Sequence, residues 1–310
     1  MRKIALVFPG QGSQSVGMGR DLYERFPSAR ATFQEANEVL GFDLAALCFF
    51  GPEEELTLTA NTQPAVLATS LAALRALQEE GEIQPVALAG HSLGEYGALV
   101  AAGALVFADA IRLVRLRGLA MQQAVPVGTG AMAALLGLPA PEVEKICLEA
   151  AQGEVVSAAN YNCPGQVAIA GSSAAVGRAM ELAARNGGKA VPLPVSAPFH
   201  CALMNPAAEK LAAALSAVEV REPEVPVLSN ARADFYAGRQ EVRELLVQQV
   251  AHPVRWEGCM RRLLAAGPSL VLEVGPGKVL SGLLRRIDRQ VKTAHIEDGP
   301  SLEKARALLE

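Results

Sequence analysis

The run Val86-Ala87-Leu88-Ala89-Gly90-His91-Ser92-Leu93-Gly94-Glu95 constrains this chain more than any other feature. It sets G-x-S-x-G between an apolar strand candidate and a helical run over 96–102. In that context, small residues on both sides of the serine permit a sharp strand-to-helix turn that exposes the hydroxyl, a nucleophile elbow. The turn also brings a helix N-terminus and the backbone N–H of Leu93 to where an oxyanion would develop. Ser92 is therefore the candidate nucleophile, and a serine that only caps the helix is the plainer alternative.

Other short apolar runs at 4–8, 225–229 and 270–274 join 86–89 as strand candidates, separated by long Ala/Leu/Glu/Arg-rich helical stretches. Such alternation predicts a mostly parallel sheet covered by helices. From 127 to 195 the rhythm changes to strand 130–136, helix 141–151, strands 155–160 and 166–171, helix 173–186 and strand 189–194. This βαββαβ order is ferredoxin-like. The fold class expected is α/β: a hydrolase-like large subdomain (1–126 and 196–310) with an inserted ferredoxin-like small subdomain (127–195). The glycines at 128 and 130 and the prolines over 192–198 mark the crossings, and the cleft between the bodies is the natural ligand site. The end of the chain after Glu297 reads as a helix.

A serine hydroxyl needs a base, and the sequence holds four histidines. His91 neighbours Ser92 in the turn and should diverge from it, which suggests a structural role. His200, in Ser196-Ala197-Pro198-Phe199-His200, lies where the chain returns to the large body and is the better base. A hydrolase would place an acid between the two, but only Asp109 falls there, close after the elbow and read as a cap for the next helix. A backbone carbonyl could instead accept the imidazole Nδ1 proton.

A formal net charge of −4 argues against general affinity for nucleic acid or anionic lipid. The five scattered cysteines include no CxxC pair, so no disulfide framework or zinc site is expected, and a reducing cytoplasm fits best. The apolar run after Met1-Arg2-Lys3 is too short for a signal peptide, and that over 98–107 too short for a membrane span.

Taken together, Gly10-Gln11-Gly12-Ser13-Gln14, Gly90-His91-Ser92-Leu93-Gly94-Glu95, Arg117, Ser196-Ala197-Pro198-Phe199-His200 and Glu273-Val274-Gly275-Pro276-Gly277 resemble the malonyl-CoA:acyl carrier protein transacylase family along essentially the whole chain. The resemblance implies ping-pong malonyl transfer from malonyl-CoA through a malonyl-Ser92 intermediate to the phosphopantetheine thiol of acyl carrier protein, in fatty-acid synthesis. His200 serves as base in both halves. It further implies an oxyanion site at the backbone N–H groups of Leu93 and Gln11, and a carbonyl of Gln249 that orients His200. Coenzyme A enters only as a thioester substrate, with no resident cofactor and no metal.

Arg117 fits the same picture, because a planar, permanently charged fork grips a free carboxylate bidentately. Read alone it would be one of several arginines on a solvated helix face, as Arg112 and Arg115 remain. Phe199 resembles the malonyl-type choice that leaves little room for an α-methyl branch. Gln63, Met121, Asn160 and Asn162 resemble positions lining the cleft, against the alternative of turn or core packing. Cys201 and His252 depart from the commoner family pattern.

Gly275-Pro276-Gly277 reads as a tight turn. The basic residues after it, Lys278, Arg285, Arg286, Arg289 and Lys292, offer either a solvated face or a dock for an acidic carrier. A serine hydrolase, an inactive carrier-binding copy of the fold and a transferase of other acyl groups are the competing readings.

Overall fold

A computed structural model describes residues 2–126, 128–195 and 197–309. In chain order its strands are β1 (Ile4–Phe8), β2 (Pro85–Gly90), β3 (Gly130–Leu136), β4 (Val156–Cys163), β5 (Gln166–Ser172), β6 (Lys189–Pro192), β7 (Leu228–Ser229), β8 (Asp234–Phe235), β9 (Leu270–Val274) and β10 (Thr293–Ile296). The first sheet runs β10-β9-β1-β2, with every neighbour parallel. All five residues of β1 and all five of β9 are buried, as a parallel sheet covered on both faces requires. Alternate side chains of β1 feed separate cores: Ile4, Leu6 and Phe8 face one, Ala5 and Val7 the other.

The second sheet, β4-β5-β3-β6, is antiparallel throughout. Helices Ala140–Ala151 and Ser173–Arg185 complete the ferredoxin-like order, and Val143, Ile146, Val176 and Ala179 on them share a third core with Ala133, Leu135 and Ile169 of the sheet. Val127 and Ser196, where the expected subdomain boundaries fall, lie outside the described residues.

Two expectations need correction, and one strand was not foreseen. The run 225–229 does not add a full strand to the parallel sheet. Pro226 has no N–H to give the ladder, so only its carbonyl engages, accepting from Leu88 N at 2.8 Å, and the regular pairing shrinks to β7 with β8. Asp109 does not cap its helix: Val106 is the N-cap of Phe107–Gln123, and Asp109 instead pairs with Arg112 at 3.0 Å from the first turn. Strand β10 was not anticipated.

The antiparallel sheet is tied beside the cleft by main-chain bonds to a single bridging residue outside the sheets, Val254. Val254 N donates to Ala159 O at 2.8 Å and Tyr161 N donates to Val254 O at 2.9 Å. Strand β4 is thereby fixed against the segment that follows helix Arg239–Ala251, which carries Gln249.

Candidate active site

Ser92 sits two residues past the end of β2 at φ 51°, in the left-handed region that a non-glycine residue adopts only under local constraint. The flanking glycines explain how. A Cβ on Gly90 would meet the Gly94 carbonyl at 1.9 Å, and one on Gly94 would meet Phe8 O at 2.1 Å. Only at these two bare positions can the turn fold back this tightly on itself and on β1. Asn230, just beyond β7, splints the elbow: its Oδ1 accepts from Ser92 N at 2.6 Å and its Nδ2 donates to Gly90 O at 2.7 Å.

The Ser92 hydroxyl lies 2.7 Å from His200 Nε2, and His200 Nδ1 lies 2.8 Å from the main-chain carbonyl of Gln249. A carbonyl only accepts, so Nδ1 carries the proton and Nε2 is left free to take one from Ser92. Burial, and after it the Arg117 charge, push the His200 pKa down to about 3, which keeps the ring in its neutral, proton-accepting form.

Arg117 is 2% exposed. Its Nη1 donates to Gln63 Oε1 at 2.8 Å, and its Nη2 to both Gln249 Oε1 at 2.9 Å and Ser92 Oγ at 3.0 Å. A permanent cation thus stands beside the Ser92 hydroxyl, where an acyl chain ending in a carboxylate would reach it. The helix phase holds a signal for this: Arg117 lies three and four residues after buried Val114 and Leu113 and four before buried Met121. Arg112 and Arg115 point elsewhere, to Asp109 and Asn61.

A cleft is lined by Ser92, Leu93, Arg117, His200, Gln11, Gln63, Met121 and Phe199, with Asn160, Met132, Leu193 and Val195 from the side of the antiparallel sheet. Gln63 Nε2 also contacts Met121 Sδ at 3.7 Å, so both of these residues stand around the guanidinium. Asn162 lies instead in an adjoining cavity with Gln11, Gly12, Gln166, Val279 and Leu283, and accepts from His91 Nε2 at 3.0 Å. His91 packs edge-on against Trp256 at 5.4 Å, and burial lowers its pKa. His252 faces the Gln248 carbonyl on the exposed side, and Cys201 Sγ donates to Pro198 O at 3.1 Å; neither touches Ser92.

Sequence reading passed over Glu95, Asn230 and Tyr236. The Glu95 carboxylate is buried and accepts from Asn230 N at 3.0 Å, Gln249 Nε2 at 2.7 Å and the Tyr236 hydroxyl. Burial pushes its pKa up to about 7. Glu95 lay in the quoted motif, but its partners come from 135 or more residues away, and nothing local announces them.

Because Asn230 holds both ends of the elbow, Asn230→Ala is expected to cost about 1–3 kcal/mol of stability for the unmet buried groups. Thermal unfolding with acylation rates checks it; a change within experimental error would remove the splint from this account.

A serine hydroxyl, an imidazole held to accept its proton and a buried cation in one cleft are the arrangement a serine acyl-transfer enzyme requires. The model of the acyl transferase domain matches residues 5–302. The malonyl CoA-acyl carrier protein transacylase of Bacillus subtilis is 50% identical over 98% of this chain and 96% of its own length. That of Escherichia coli K12 is 51% identical over 93% of each. An acyl carrier protein S-malonyltransferase structure from Vibrio cholerae superposes with a TM-score of 0.95 at 50% identity, covering 98% of this chain and 99% of that one. A malonyl-transacylase solved in complex with a type II PKS acyl-carrier protein gives a TM-score of 0.96 at 49% identity, covering 98% of each. The chain belongs to the malonyl CoA-acyl carrier protein transacylase family.

Proposed function

We propose that the chain transfers malonyl from malonyl-CoA to the phosphopantetheine thiol of acyl carrier protein in fatty-acid synthesis, with Ser92, His200 and Arg117 as the working residues. The observation that carries this is a buried guanidinium 3.0 Å from a serine oxygen that is itself 2.7 Å from a neutral imidazole. Ser92 Oγ attacks the thioester carbonyl as His200 Nε2 takes its proton, the carbon–sulfur bond breaks, and coenzyme A leaves with that proton. The carrier thiol then gives its proton to His200 and attacks the malonyl ester, and the serine oxygen recovers the proton on leaving. The N–H groups of Leu93 and Gln11 are assigned to the oxyanion. Gln63 and Met121 frame the guanidinium, Phe199 and Asn160 line the acyl space, and Asn162 lines the adjoining cavity.

This chemistry calls for no resident cofactor. Among the described residues no cluster of three or more His, Cys, Asp or Glu could hold a metal, and no helix is long and apolar enough to cross a membrane. The cytoplasm is the compartment proposed. Residues 127–195 are assigned as the inserted small subdomain, and the cleft between it and the rest as the path of the thioester arm.

For the carrier, we assign the helix Val279–Ile287 and its extension, bearing Arg285, Arg286 and Arg289. Arg286 Nη1 already reaches Gln166 Oε1 of β5 at 2.5 Å, and exposed Val279 lines the adjoining cavity. An acidic partner seated there would present its thiol arm at that opening. Reversing Arg285 and Arg286 to glutamate should raise the carrier's KM about tenfold and spare that for malonyl-CoA. Equal effects on both substrates would move the dock elsewhere.

The direct test is intact mass after brief exposure to malonyl-CoA, then after adding holo carrier, with Ser92→Ala as control. An adduct absent from the control and passed to the carrier supports the transferase. An adduct lost to water would indicate a hydrolase, and none at all an inactive copy.

A further inference from the structure

Arg117 is buried, yet the acceptors of its hydrogen bonds, Gln63 Oε1, Ser92 Oγ and Gln249 Oε1, are all neutral. A cation out of water needs a counter-charge. One stands a single amide away. The Gln249 side chain accepts from Arg117 through Oε1 and donates to the Glu95 carboxylate through Nε2 at 2.7 Å. Guanidinium on one side and carboxylate on the other fix that amide in one orientation, since only its oxygen accepts and only its nitrogen donates. The hold on His200 is separate, because it comes from the Gln249 main chain.

Resting on the roles proposed above for Ser92 and Arg117, we propose that Glu95 is the counter-charge of Arg117, a positioning residue that acts through the Gln249 side chain and competes with the malonyl carboxylate for the guanidinium. Free enzyme is balanced by Glu95. A bound malonyl group shares the same cation, so its grip is weaker than a lone buried arginine would exert, and malonyl-carrier product is let go more readily. An interaction equal in ground and transition states sets KM and leaves the chemical step alone.

Glu95→Gln isolates the charge. Its amide oxygen can replace Oε2 toward Asn230 N and Gln249 Nε2, and the Tyr236 hydroxyl can turn to accept. Assayed near pH 8, the variant is expected to lower the KM for malonyl-CoA about tenfold, with much less change for acetyl-CoA, which lacks the carboxylate. A parallel change for both thioesters, or a raised malonyl-CoA KM, overturns the proposal.

Should that variant not fold, the wild type supplies the same test. Acidification from about pH 8 to about pH 6 protonates a carboxyl held near 7. The other titratable groups facing it do not change charge there: burial pushes Tyr236, Tyr96 and Cys259 up and keeps them neutral, Arg117 stays a cation, and His200 is held at about 3. The ratio of malonyl-CoA KM to acetyl-CoA KM should fall on acidification, the acetyl thioester cancelling any titration of coenzyme A itself. A constant or rising ratio overturns the proposal. Arg117→Ala separates the levels of inference. If that variant still prefers malonyl, the role given to Arg117 fails and Glu95 loses its object. If the preference vanishes there while Glu95→Gln and acidification leave the ratio unmoved, only the counter-charge is refuted.

Discussion

His200→Ala is expected to lower the rate of malonyl-enzyme formation roughly 10⁴- to 10⁶-fold, as removal of the base from a serine nucleophile does elsewhere. The hydroxyl would keep its contact with Arg117 Nη2 but lose its proton acceptor, His200 Nε2 at 2.7 Å. Binding of malonyl-CoA rests on other groups, so KM should move little beside kcat. The wild-type pH profile carries the companion result. With the His200 pKa lowered, first by burial and then by Arg117, the ring is neutral and fit to accept a proton throughout the range from about pH 5 to pH 8. A malonyl carboxylate on Arg117 relieves the second of these causes and leaves the first. The rate at saturating malonyl-CoA should therefore show no acid limb in that range. Acylation of the alanine variant within about tenfold of wild type would remove His200 from the mechanism.

What could be read from sequence follows the range of the interactions involved. The elbow was legible because strand, glycines, serine and helix all lie within ten residues, and the steric demand at Gly90 and Gly94 is local. The ferredoxin-like unit was legible because its periodicities alternate without interruption, and its strands and helices fall within a few residues of their expected bounds. Strand β10 was missed since Thr293-Ala294-His295-Ile296 shows no apolar run; it holds its place as an edge strand through pairing with β9 alone. The run over 225–229 carried its own warning in Pro226, which limits a strand to an edge or to a single bridge. The least legible part was the polar hub of Glu95, Asn230, Tyr236 and Gln249. Each member is ordinary in its own segment, and only the fold reveals that one carboxylate gathers three donors in the core.

Arg117→Ala is expected to remove the preference for malonyl over acetyl thioesters rather than activity in general. In the wild type the fork spans Gln63, Gln249 and Ser92, and a carboxylate arriving there gains two parallel charge-assisted bonds from a buried guanidinium. Truncating one partner of such a buried charge pair costs about 2–5 kcal/mol, a loss of roughly 30- to several-thousand-fold in kcat/KM for malonyl-CoA. Acetyl-CoA has no carboxylate to lose. For it the substitution removes a neighbouring cation that depresses the base, so the His200 pKa rises toward its ordinary value and proton abstraction becomes easier. Acetyl transfer should hold or increase while malonyl transfer collapses, and the ratio of the two kcat/KM values checks this in one series. Arg117→Lys should fall between, because an ammonium restores the charge without the planar fork that meets two oxygens at once. Parallel losses for both thioesters would mean that Arg117 supports the cleft as a structural cation, and malonyl selectivity would then have to be sought in the shape of the space beside Phe199 and Met121.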